Sequence, residues 1–258
     1  MPSTLFASSW AKFNWAQQHL KALDKALVGV YQSNERTLTL KVDLQVAGDT
    51  AVVLVSPSTI PAIHARCGLL IGDTLHSFRG ALDHLVWDLV RIGGDPRPKK
   101  PRFVQFPMST SRAAWNEWVE RRLPGIPEEQ RAIILSCQPY RRGERARNIR
   151  RLRDFSDHDK HRVLMPVYFT MSSLNFSVQT NWLVTEWEYL IKRPTRIDRR
   201  TKFLRVELTR GPNPGDCQVR VDGETTAYPT LSRGIQLTAL NSIRDTVFNI
   251  LMEFENLL

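Results

Sequence analysis

Trp10, Phe13, Leu20, Leu23, Leu27 and Val30 recur at helical spacing, so Ser9 to about Gln32 is expected to form an amphipathic helix capped by Ser9. The period then changes. RTLTLKVDLQV and TAVVLVS alternate or run β-branched, and the intervening Ala47-Gly48-Asp49 reads as the turn of a β-hairpin. Pro61 opens a long helix that runs to Ile92 and ends at Gly93-Gly94. Its buried stripe should be Ile63, Cys67, Leu70, Thr74, Phe78, Ala81 and Leu85. Asp95 to Pro101 is a basic, proline-rich loop. Two shorter helices follow, roughly Ser111 to Arg122 and Pro127 to Cys137, parted by a loop at Pro124.

A weaker helical pattern spans Ala146 to Arg162. From Arg162 to about Val221 the segments RVLMPVYFTM, SLNFSVQT, LVTEWEYLIK, TKFLRVELTR and CQVRV read as strands. Leu240, Ile243, Val247, Ile250, Phe254 and Leu258 define a C-terminal helix of about 25 residues. The fold class is therefore α+β, with residues 1–258 read as one domain. A bundle of four or more helices comes from about 9–32, 61–93, 111–162 and 233–258. An antiparallel β-sheet comes from the hairpin at about 36–56 and the strands at about 162–221.

Composition narrows the class. A chain of 258 residues that is 42% apolar can bury a core, and it is too apolar for a disordered chain. Its 13 Gly and 15 Pro are too few for collagen. No uncharged apolar run reaches the roughly 18 residues of a membrane span. The N-terminus lacks the basic start and apolar core of a signal peptide. Cys67, Cys137 and Cys217 are scattered, which argues against a disulfide framework or zinc ribbon and makes a reducing cytoplasm the expected setting.

The net charge is +10, with Arg dominating the basic residues. Nine basic against four acidic residues between Tyr140 and Arg162 give +5, and six against one between Ile191 and Lys202 give +5 again. Guanidinium groups suit phosphate, so RNA or another polyanion is the expected partner; a merely solvated basic surface is the plain alternative. Six tryptophans (Trp10, Trp15, Trp115, Trp118, Trp182 and Trp187) read as core or interface rather than as platforms for bases.

Two polar constellations stand out. On the long helix, Arg79, Asp83, His76 and Trp87 share the side opposite the apolar stripe, and His84 faces Asp88 one turn on. Arg79–Asp83 and His84–Asp88 could be simple ion pairs along the helix. Gly80 lies mid-helix on that side, as if something approached closely. The second set runs from Arg153 to Arg162 and includes Asp154, Asp157, His158, Asp159, Lys160 and His161. In a helix it would pair Asp154 with His158 and Asp157 with His161, an arrangement that fixes an imidazole tautomer for general acid–base work. The same groups could ligate a metal or cap a solvated helix end.

Gly72-Asp73, Leu75-His76, Phe78-Arg79, Ala81-Leu82-Asp83-His84-Leu85, Phe106-Pro107, Gln138-Pro139-Tyr140 and Asp159-Lys160-His161-Arg162 follow one another in that order. This succession resembles an uncharacterised group of bacterial proteins with blocks "GDxLxNLRxALDHL", "FP", "QPY" and "DKHR", and it implies no established activity. Ser77 stands where that group often has Asn.

More loosely, Arg79–His84, Arg153–His158 and Arg151–His158 resemble the Arg-to-His signature of the HEPN superfamily, helical bundles that include metal-independent ribonucleases. That resemblance implies no cofactor and no metal, phosphate held by Arg, proton transfer by His, and a site built across a homodimer. Chance alone supplies about two such Arg–His spacings in a chain this rich in Arg.

Three readings follow. In a nucleic-acid-associated, HEPN-like ribonuclease, Arg79, Arg153, Lys160 and Arg162 would hold phosphate, while Asp83, His84, His158 and His161 would be catalytic. In a non-catalytic protein, the Arg/Asp/His/Lys network would be a buried lock between helices. In a metal-dependent hydrolase, Asp83, His84, His158 and His161 would form the centre. All three require residues 79–84 and 153–162 to meet.

Overall fold

A computed structural model describes residues 4–32, 40–58, 65–93, 100–161, 167–191, 197–198, 200–212, 215–231 and 235–258. Among them are α1 (Ala7–Gln32), β1 (Leu40–Ala47), β2 (Thr50–Pro57), α2 (Ala65–Ile92), α3 (Arg112–Arg122), α4 (Glu128–Ser136) and α5 (Glu144–His161). There follow β3 (Val167–Thr180), β4 (Leu183–Tyr189), β5 (Leu204–Thr209), β6 (Val219–Leu231), β7 (Ile235–Gln236) and α6 (Thr238–Leu257). The α+β class and the bundle of more than four helices are as the periodicity predicted. No described helix is long and apolar enough to cross a membrane. The chain divides into two compact units: residues 1–25, 65–165 and 237–258, and residues 26–64 and 166–236.

The first unit is helical. Phe6, Phe13, Phe78 and Phe254 are fully enclosed, together with Leu75, Leu82 and Leu85 from α2, Leu152 from α5 and Ile243 and Val247 from α6. Phe13 of α1 meets Phe78 of α2 at 5.7 Å and Phe248 of α6 at 5.8 Å between ring centroids, so aromatic contacts join α1 to both helices. All of the predicted α2 stripe from Cys67 to Leu85 is buried, while Ile63 lies outside the described residues. The burial is wider than the stripe: Ile71, Leu75, Leu82, Val86, Leu89 and Val90 are enclosed too, because neighbours cover α2 on more than one side.

The second unit is antiparallel β. One sheet has the order β1-β2-β5-β4 and the other β3-β6-β7. Ala51, Val53 and Val55 of β2 pack with Val206 and Leu208 of β5, Phe203 and Trp182, and Phe176, Val178, Val219 and Val221 of the other sheet close over them. Phe176 stacks on Phe203 and Tyr189 at 6.4 and 6.5 Å. Gly223, opposite Phe176 in the β3–β6 register, leaves room for that ring, which a Cβ would strike.

Three expectations change in detail. The first helix begins at Ala7 after a 3₁₀ turn over Thr4–Phe6, so Ser9 is inside it and buried rather than capping it. The expected strands at 162–171 and 173–180 are, from Val167 onward, one bulged strand, β3, and residues 162–166 lie outside the described residues. Strand β6 continues to Leu231, past the expected end near Val221, where Gly223 and Pro229 break the β-propensity pattern although the ladder continues.

Two glycines, Gly80 within α2 and Gly93 just past its end, serve different ends. A Cβ on Gly80 would meet only the Lys12 stem, at 3.6 Å, so the element that approaches this face does so with a flexible side chain. A Cβ on Gly93 would lie 2.6 Å from the carbonyl oxygen of Gly125, itself in the left-handed region at φ +71°. That contact seats the α3–α4 loop on the end of α2. Gly80→Ala should therefore stabilise by up to about 1 kcal/mol through helix propensity, whereas Gly93→Ala should cost about 1–3 kcal/mol through overpacking. Urea unfolding of the two variants checks the opposite signs.

Candidate functional site

The polar side of α2 is tied to other elements. Arg79 Nη1 donates to Asp157 Oδ1 of α5 at 2.9 Å, so the two constellations do meet. The Arg79 side chain is 16% exposed and that of Asp157 51%, which puts the pair at the edge of the core. The Asp83 carboxylate accepts the backbone N–H of Phe106 at 2.9 Å. Asp88 accepts the Ser8 hydroxyl of α1 at 3.3 Å. Burial raises the Asp88 pKa, against the Ser8 hydrogen bond and the nearby charges of His84 and Arg91. His76 and Asp73 are exposed, and His84 and Trp87 are half-buried.

From Asp83 the hydrogen bonds continue inward. Pro107 and Ser109 follow Phe106, and the enclosed amide of Gln138 clamps both. It accepts Ser109 N–H and donates to the carbonyl of Pro107 and to that of Ile134, each at 2.9 Å. Arg150 of α5 donates through Nε to the Pro139 carbonyl at 2.9 Å, with its Nη2 on the same oxygen. Asn148 Nδ2 reaches α6, at 3.2 Å from the Ser242 carbonyl and 2.9 Å from Thr246 Oγ1. The sequence blocks around Asp83, Phe106-Pro107 and Gln138-Pro139 are thus successive links of one network. The Gln138 role was missed because a lone Gln in a turn carries no pattern.

In the second constellation, Asp157 is engaged by Arg79, and Arg153 binds the neighbouring Asp154. Arg151 Nη1 donates to Asn148 Oδ1 at 3.3 Å. Helix α5 carries His158, Asp159, Lys160 and His161 in its backbone, but their side chains, and all of Arg162, lie outside the described residues. Among the described residues no group of three or more His, Cys, Asp or Glu side chains is placed to hold a metal ion.

Beside α2 lies a patch that the sequence reading passed over. Helix α3 is capped by Ser111, whose hydroxyl accepts Ala114 N–H at 3.1 Å, and Arg131 of α4 holds its last turn through Glu120 at 2.6 Å and the Leu123 carbonyl at 3.0 Å. On this braced helix Arg121 and Arg122 lie over the Trp118 ring at 5.1 and 5.9 Å. Phe103 is 6.4 Å from Trp118, with Arg102 over it at 4.9 Å. Burial, then the like charge of Arg79, lower the pKa of Arg122, and the Asp83 carboxylate opposes both. Arg122 remains a cation at any physiological pH, so guanidinium groups crowd together here next to two aromatic rings. The i,i+3 and i,i+4 spacing of Trp118 to Arg121 and Arg122 was the available signal. Trp10, Trp115 and Trp182 are buried as expected, whereas Trp15 and Trp187 are exposed and Trp118 is half-buried.

The chain matches no family model, no curated protein and no solved structure with which it was compared.

Removing the Asp83 acceptor should strand Phe106 N–H in a part-buried place. Asp83→Ala is expected to cost about 1–3 kcal/mol and Asp83→Asn, which keeps a carbonyl oxygen, clearly less; denaturant unfolding of both measures the difference. Cys137, at the end of α4, offers a pH test. Burial pushes its thiol up from 9.0 to about 11, with Arg145 opposing. The unfolded chain then gives up this proton near pH 9 while the folded chain keeps it. Stability is lost as pH rises between those values, by up to about 2–3 kcal/mol for this group. The difference in unfolding free energy between wild type and Cys137→Ala, taken at pH 8 and about pH 10.5, should shrink at the higher pH.

Proposed function

We propose that the protein is nucleic-acid-associated and holds single-stranded RNA or a similar polyanion on the helical unit without cutting it. The observation that carries this reading is the run of Arg102, Phe103, Trp118, Arg121 and Arg122 beside Arg79. Guanidinium groups supply phosphate contacts, and guanidinium planes and aromatic rings both stack on bases whatever their identity. A braced helix and a fixed turn present these groups ready-made, so little ordering opposes binding. The exposed Arg141, Arg142 and Arg147 at the start of α5 add to the positive field of the unit.

The α2–α5 constellation is given the fastening role in this reading. Asp83 and Gln138 are occupied by backbone groups, and a phosphate reaching Arg79 would compete with Asp157. One observation favours the ribonuclease reading instead: the Arg79–Asp157 contact brings α2 to within one residue of His158 along α5. The metal-dependent reading has no comparable support.

Anisotropy of a fluorescent single-stranded RNA should report binding that weakens steeply with salt. Arg102→Ala combined with Arg121→Ala, and separately Trp118→Ala, should raise Kd about tenfold or more, while Gly80→Ala leaves it unchanged. Wild-type protein that fails to bind, or patch variants that bind normally while folded, would overturn the proposal. The same RNA should remain full length; cleavage by wild type that disappears in His84→Ala or His161→Ala would establish the ribonuclease reading.

A further inference from the structure

Among the described residues the four-stranded sheet ends on β1 and β4. Strand β4 carries a bulge between Val184 and Glu186, whereas β1 pairs only with β2. The register sets Val42 opposite Val55, Leu44 opposite Val53 and Val46 opposite Ala51. Those β2 residues are enclosed, yet Val42, Leu44 and Val46 are 37%, 39% and 55% exposed. The inner face of the sandwich therefore runs on past its cover. Of the devices that blunt an edge strand (charge, Pro or a bulge) β1 has only charge, in Lys41 and Asp43, and its register with β2 is unbroken.

The two-residue turn at Gly48-Asp49 fixes which backbone groups are free. Ala47 and Thr50 close the turn as a bonded pair, so Gln45, Asp43 and Lys41 also exchange hydrogen bonds with β2. The N–H and C=O groups of Leu40, Val42, Leu44 and Val46 then point outward along the open edge. A strand that docks there must match that alternation, and a second β1 related by a two-fold axis through Val42 does so. It sets Val42 against its own copy and Leu40 against Leu44 of the other chain, with the apolar side chains on one face. On the opposite face Lys41 falls across from Asp43 of the other chain, and Asp43 across from its Lys41.

Within one chain these two groups already attract, at 2.8 Å, and Lys202 stands 3.5 Å from Asp43 on the same face. Directly opposite opposite-charge pairs favour a register, and like charges there oppose it. A two-fold axis through Asp43 would place its carboxylate against its own copy, and an axis through Leu44 would leave Lys41 facing Ala47. We infer that β1 is a homodimerisation edge: two copies join antiparallel in the register centred on Val42, selected by the reciprocal Lys41–Asp43 pairs. This inference is independent of nucleic-acid binding.

Charge exchange tests it. Sedimentation equilibrium of the wild-type chain at tens of micromolar should give twice the monomer mass. K41D alone and D43K alone should each give the monomer mass, because each places like charges opposite one another twice. Mixed in equal amounts, the two variants should dimerise, since the acidic pair of one then faces the basic pair of the other. Circular dichroism of each variant establishes that it is folded. A wild-type monomer, folded single variants that still dimerise, or a mixture that stays monomeric would each overturn the inference.

Discussion

A carboxylate in the middle of a packed helix cannot bond to that helix's own backbone, whose N–H groups are already taken, so another part of the chain must satisfy it. Asp83 meets this condition through Phe106 N–H, and much of the helical unit follows from it. The bond fixes the extended segment after the 3₁₀ turn over Pro101–Phe103 against α2. That segment presents the Pro107 carbonyl and Ser109 N–H to Gln138, whose enclosed amide has no access to water to replace them. A half-satisfied amide in such a place costs more than an apolar residue would. Segment and amide are therefore held or lost together, and the turn carrying Pro139 is placed where Arg150 of α5 can reach it.

The same condition separates two kinds of charge in this unit. Arg79 is largely covered and finds Asp157, and Arg131 is covered and finds Glu120 and the Leu123 carbonyl. Such pairs set geometry more than they add stability, since desolvation offsets much of their attraction. Arg102 and Arg121 are exposed and lie over rings, where water still reaches the charge and the ring shields one face. A guanidinium in the first situation already has a carboxylate against it, and one in the second keeps N–H groups open to water. For the proposed polyanion, net charge gives only the sign of the attraction, and this division says which arginines could meet it.

The long helices were legible because burial follows their period closely: the α2 stripe from Cys67 to Leu85 and the α6 stripe from Leu240 to Phe254 are both enclosed. The start of α1 was misread because Ser9 is a good capping residue by type, and nothing local reveals that it is buried inside the helix. The end of β6 was misread for the opposite reason. Gly223 and Pro229 speak against a strand locally, yet pairing with β3 overrides them, and Gly223 is there because the Phe176 ring needs its space. The partners of Asp83 and Gln138 were not legible at all. Both bond to backbone groups, and a main-chain N–H or carbonyl has no letter in a sequence.

This explains why a network that fastens elements and one that moves protons look alike in a sequence. Both uses call for charged or amide side chains drawn out of water and held by specific mates, so both place Arg, Asp, His and Gln at helical spacing on a face that should have been apolar. What distinguishes them is the identity of the mate. A proton-transfer group needs a partner that orients it and a remaining lone pair or N–H open to a substrate, whereas a fastener spends its groups on the fold. Gln138 uses both its carbonyl and its amide on main-chain atoms, and Asp83 gives an oxygen to one. Arg79 stands between the two classes: its carboxylate partner is half-exposed and its neighbour Arg122 is a second cation, so an anion arriving at this edge would meet two guanidinium groups and would compete with the carboxylates of Asp157 and Asp83.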